Sequence, residues 1–92
     1  MYKITQYTKS KANDYNVIVK PSKVAGKKID VFNKQGEKLA SIGAIGYGDY
    51  PTFLKEKGVK YAEERRRLYK MRHESDRHKR GSAGWYADKL LW

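Results

Sequence analysis

The spacing of apolar residues changes character near Asp49. Before it, apolar and polar positions alternate at a period of two, as in half-buried strands. Tyr2-Lys3-Ile4-Thr5-Gln6-Tyr7 reads as a first strand. Asn13 and Asp14 mark a turn, and residues 15–20 form a second strand, β-branched at Val17, Ile18 and Val19 and closed by Pro21. Residues 28–32 and 38–42 flank Asn33-Lys34-Gln35-Gly36-Glu37, where Gly36 supplies the left-handed residue of a hairpin. The glycine-rich residues 43–48 read as a flexible connector.

After Asp49 the period lengthens to about 3.6 residues. Asp49 is a candidate N-cap, Pro51 sits in a first helical turn with Phe53 and Leu54 facing inward, and Gly58 ends that helix. A longer helix is predicted over residues 59–79, stopping at Gly81. Ser82 caps a last helix that ends at Leu90, Leu91 and Trp92. The resulting fold class is α+β: an antiparallel sheet of three to four strands in residues 1–48, then two or three helices in residues 49–92 packed on one face, as a single domain over 1–92.

Composition narrows the classes of function. The 92 residues hold no Cys, which removes disulfide frameworks, thiolate zinc sites and a Cys nucleophile. No apolar run approaches the length of a membrane span, and no signal-peptide pattern opens the chain. Lys plus Arg number 21 against 10 Asp plus Glu, a formal charge of +11, beyond what solubility needs. The Lys residues are spread along the chain, but every Arg falls between Arg65 and Arg80. Arg offers a planar fork that binds phosphate or carboxylate bidentately and stacks on rings, so its confinement is more informative than the total.

On a helical wheel over residues 59–79, Tyr61, Ala62, Leu68 and Tyr69 share the side expected to meet the sheet. Arg65, Arg72 and Asp76 fall on that side, where unpaired charge is costly. They are read as structural: Arg72 paired with Asp76, Arg65 reaching a carboxylate or carbonyl elsewhere. A different strip, Arg66, Lys70, His73 and Arg77, runs at i, i+4, i+7 and i+11 and spans about 16 Å, long enough for several backbone phosphates. Lys79 and Arg80 extend it, and Lys27 and Lys28 are possible auxiliaries. The alternatives for this strip are a merely solvated face and an acidic protein partner.

Other chemistry finds little support. His73 and His78 are five apart and diverge on a helix, so no metal site is expected. Residues 43–48 lack a phosphate-loop signature. No serine stands beside a base and no carboxylate pair is placed for acid–base work, so neither an enzyme nor a cofactor nor a small-molecule substrate is expected.

Residues 68–92 carry Tyr69-Lys70-Met71-Arg72-His73, Asp76-Arg77, Gly81-Ser82-Ala83-Gly84 and Trp85-Tyr86-Ala87-Asp88-Lys89-Leu90-Leu91-Trp92. This run resembles the C-terminal signature of small basic proteins of nucleocytoplasmic large DNA viruses of the algal-virus type. Gly48-Asp49-Tyr50-Pro51-Thr52 and the hairpin over residues 29–42 are similar to that family as well. The resemblance implies a viral product found in the virion, or in the host cytoplasm or nucleus during infection. Within it, Tyr69, Trp85, Tyr86, Leu90, Leu91 and Trp92 look like a packing set, with Asp88 placed to meet Arg72 or Arg65. Gly81 and Gly84 permit the last helix to fold back.

The expectation is a cationic protein that binds nucleic acid, duplex DNA first, without sequence preference through phosphates on the Arg66/Lys70/His73/Arg77 strip. The alternative is a minor capsid protein docking on acidic protein surfaces; no membrane is involved in either. Tyr47 and Tyr50 could each stack on bases or belong to the core. The expectation requires the strip to point outward and to be free of the protein's own carboxylates.

Overall fold

The structure, a computed structural model, describes residues 2–92. The chain opens with helix α1 (Gln6–Asp14). Three strands follow: β1 (Ile18–Pro21), β2 (Lys27–Phe32) and β3 (Lys38–Ala44). They form one antiparallel sheet in the order β1-β2-β3. Helices α2 (Tyr50–Lys57), α3 (Val59–Arg72) and α4 (Ala83–Leu91) complete the chain. The fold is α+β, as the change of period predicts, with one helix ahead of the sheet and three behind it.

Sheet register places Ile29 opposite Ile42 and Val31 opposite Ala40. Ile29, Val31 and Ile42 are buried with Leu90 and Leu91 of α4, Ala12 of α1 and Val17. Pro21 costs the sheet little because β1 is an edge strand. In the β2–β3 hairpin, Gly36 has φ +90° and the Asn33 Oδ1 accepts from the amides of Gln35 and Glu37. Asp30, in the middle of β2, is buried; it accepts from the Ser22 hydroxyl at 2.6 Å, the Ser41 hydroxyl at 2.7 Å and the Lys23 amide at 3.2 Å.

Three elements differ from the sequence expectation. Residues 2–7 are not a strand. The Thr5 side chain caps α1 by accepting from the Thr8 amide, and the inward face of α1 consists of Thr8 and Ala12. That face has no large aliphatic residue, so it leaves almost no helical signal, while Tyr2 and Ile4 do pack on the core from an extended segment. The connector over residues 43–48 is pinned: its first two residues belong to β3, and the Ile45 amide donates to Gly26 at 2.9 Å. Finally, α3 ends at Arg72 and residues 73–82 run as successive turns. Between Met71 and Ala83 there is no apolar side chain, and a helix without a face to bury has little to sustain it.

The caps of α2 and α4 are as expected. Asp49 accepts from the Thr52 amide at 3.0 Å, and Ser82 accepts from the Trp85 amide at 3.1 Å. No helix among the described residues is long and apolar enough to cross a membrane.

Candidate nucleic-acid interface

The helix carrying the arginines packs on α2, not on the sheet, whereas α4 packs on β3. A cleft of about 810 Å³ therefore opens between α3 on one side and β3 with α4 on the other. Two contacts bridge it: the Lys70–Asp88 ion pair and the stacked rings of Tyr69 and Trp92, 4.4 Å apart and 9° from parallel.

The strip singled out from the wheel is not free. Arg66 sits over the Tyr50 ring, 3.6 Å from its centroid, donates to the Tyr7 hydroxyl at 3.3 Å and has Glu63 at 3.7 Å. Lys70 donates to Asp88 at 2.6 Å, and Asp88 is buried. Arg77, beyond the end of α3, folds back onto Glu74 at 3.0 Å and lies 3.9 Å from Asp88. His73 packs its ring on Tyr69, 4.4 Å between centroids, with Asp76 3.7 Å away. The condition that the row be unpaired fails because Glu63 of α3, Asp88 of α4 and the acids Glu74 and Asp76 of the turns after α3 all lie against it.

Of the auxiliaries, Lys28 is buried and paired with Asp49 at 3.0 Å. Burial alone would raise the Asp49 carboxyl, but hydrogen bonds from Thr52, Tyr2 and Lys28 outweigh it and hold it below the usual carboxylate range. Lys28 is thus a structural cation. Lys27, its neighbour, is exposed on the cleft wall. Arg80 is exposed, with its guanidinium 5.8 Å from the Trp85 ring centroid.

Of the residues read as structural, Asp88 is buried in ion pairs, but with other partners than expected. Arg72 makes no ion pair with Asp76, and Asp88 meets Lys70, Arg77 and Lys89 instead of Arg72 or Arg65. Arg65 has no carboxylate within 4 Å among the described residues; its guanidinium sits 5.7 Å from the Phe53 ring centroid and its enclosed Nε–H has no acceptor. Although α3 leaves a cleft where contact with the sheet was expected, Ala62 and Tyr69 on this side of the helix are still buried, whereas Arg65 is half-buried and Arg72 exposed, both lining the cleft. Tyr61 and Leu68, expected to be inward, are exposed as well.

Four cations without carboxylate partners among the described residues thus line one concavity: Lys27, Arg65, Arg72 and Lys79. Its floor is a continuous column of rings, His73–Tyr69–Trp92–Phe53, with successive centroids 4.4, 4.4 and 6.1 Å apart. Burial first, and the Asp88 charge second, push the Tyr69 phenol up to about 12. The acids lining the cleft are Asp76 and the already paired Asp49. Tyr50 is core, while Tyr47 stands on the cleft rim at 76% exposure.

Unpaired guanidinium and ammonium groups above apolar rings suit a ligand that is anionic along one edge and flat along another. Sequence reasoning missed this site because the wheel assigns Arg65 and Arg72 to the buried side. Their shared face with Tyr61 and Leu68 was the available signal. No protein-family model, curated protein or solved structure matches the chain.

Proposed function

We propose that the protein binds nucleic acid without sequence preference, through phosphate contacts made in the cleft by Lys27, Arg65, Arg72 and Lys79. The observation that carries this reading is that these four cations converge unpaired in one concavity, while the outward strip is neutralised internally. Phosphates released from their counterions supply the affinity, which falls steeply with salt. The likeness of residues 68–92 to large-DNA-virus proteins sets the place we assign it: the virion, or the infected cell.

Salt-dependent binding tests the site. Each phosphate contact contributes about 0.7–0.9 to the log–log salt slope, so Lys27→Gln with Arg72→Gln lowers it by roughly 1.4–1.8. Lys9→Gln with Lys34→Gln removes the same charge away from the cleft and leaves the slope unchanged. Equal effects of the two pairs, or none, would exclude a cleft-centred site.

A second reading, docking on a protein surface such as a capsid shell, is favoured by one feature. Tyr61, Leu68 and Met71 of α3 are exposed at 43%, 37% and 64%. The C-terminal aromatics Trp85, Tyr86 and Trp92 are half-buried in packing contacts and offer no comparable patch. Retention on shells stripped of nucleic acid, abolished by Leu68→Glu, would select it.

A further inference from the structure

Resting on the cleft reading, we infer that the bound nucleic acid is single-stranded and that Tyr47 is the platform on which an unpaired base stacks. Tyr47 is the most exposed large apolar side chain among the described residues, at 76%. It sits at the end of a turn closed by the Tyr47 amide, which donates to Ala44 at 3.3 Å, with Gly46 supplying the positive φ of +93°. The turn is tied to the β1–β2 turn by the Ile45 amide, which donates to the Gly26 carbonyl. A ring held on a hydrogen-bonded turn and left in water contributes little to the core, and its face is open to a planar ligand.

Two features select a single strand. In a duplex the base faces are stacked on one another and only edges and backbone are offered, so an isolated aromatic face has nothing to meet. In a single strand each base presents a face, and aromatic platforms next to a cationic track hold it without regard to sequence. The cations lie inside a concavity, within reach of an extended strand, and the strip that would have served a duplex is occupied by Asp88 and Glu74. The path drawn is Tyr47 at the rim for one base, Arg65 and Arg72 along α3 for phosphates, and Lys79 at the far wall.

Anisotropy of a short labelled mixed-sequence strand, alone and as its duplex, tests this with wild type, Tyr47→Ala and Tyr47→Phe. The expected result is single-strand binding at least tenfold tighter than duplex binding. Tyr47→Ala weakens it by about tenfold, the scale of one base stack, while Tyr47→Phe keeps it and neither change alters duplex affinity or thermal unfolding. Equal binding of both forms would overturn the inference and leave the cleft reading standing. A single-strand preference that survives Tyr47→Ala would overturn the platform. Binding of neither form would overturn both.

Discussion

The Lys70 ammonium donates to Asp88 at 2.6 Å, tying α3 to a carboxylate that is 1% exposed on α4. A residue that the wheel presents as a ligand-binding cation is therefore part of the tertiary structure. Asp88 Oδ1 is satisfied by Lys70; Oδ2 has no hydrogen-bond partner and relies on Lys89 at 3.4 Å and Arg77 at 3.9 Å. Burying this carboxylate is tolerable because three cations surround it.

Removing Lys70 and removing Asp88 are accordingly unequal. Lys70→Ala takes the hydrogen bond from a buried carboxylate, leaving it only Lys89 and Arg77 at longer range, and is expected to cost about 2 kcal/mol in urea unfolding. Asp88→Asn costs less, because the Lys70 side chain is 29% exposed and can return to water. The reverse ranking would mean that the pair is not what joins the two helices.

The glycines of the β2–β3 region give a second contrast. Gly36 and Gly43 both have positive φ, +90° and +79°. A Cβ at Gly36 meets nothing within 4 Å, but one at Gly43 meets Lys28 Cδ at 2.9 Å and Leu91 Cδ1 at 3.0 Å. Gly36→Ala is expected to lose about 1 kcal/mol from backbone strain alone, and Gly43→Ala about 2–4 kcal/mol once overpacking is added. Thermal unfolding of the two variants side by side measures the difference.

Acid titration reports on Asp30. Burial pushes its carboxyl up, but the Ser22 and Ser41 hydroxyls, the Lys23 amide and nearby Lys38 outweigh this and hold it at about 2, against an ordinary 3.8. A carboxyl depressed on folding contributes stability that is complete above its unfolded value and is lost as pH falls through its folded one. The wild type should therefore lose stability between about pH 4 and pH 2, and Asp30→Asn should be less stable at neutral pH with a shallower decline across that window. Parallel declines would remove Asp30 as their source.

Much of the scaffold is legible in the chain. The hairpin around Gly36, the caps Asp49 and Ser82 and the stop at Gly58 each have a local chemical cause, so local sequence finds them. The first helix is hidden because Thr8 and Ala12 are enough to bury it once the Thr8 hydroxyl donates to Leu90 at 2.8 Å, a contact across most of the chain. The candidate site is hidden for a related reason. A wheel assigns a buried side from apolar content, but whether that side meets a sheet or a cleft depends on α3 choosing α2 as its neighbour. Ala62 and Tyr69 of that face are buried as expected, but Tyr61 and Leu68 are exposed, and Arg65 and Arg72 exchanged roles with Lys70 and Arg77.

Amide chemical-shift mapping with a short nucleic acid at low salt tests the cleft most directly. The account predicts perturbations concentrated at Lys27, residues 43–48, Arg65, Arg72 and Lys79. Perturbations centred on Arg66 and Lys70, or scattered over Lys9, Lys11, Lys34 and Lys55, would contradict it.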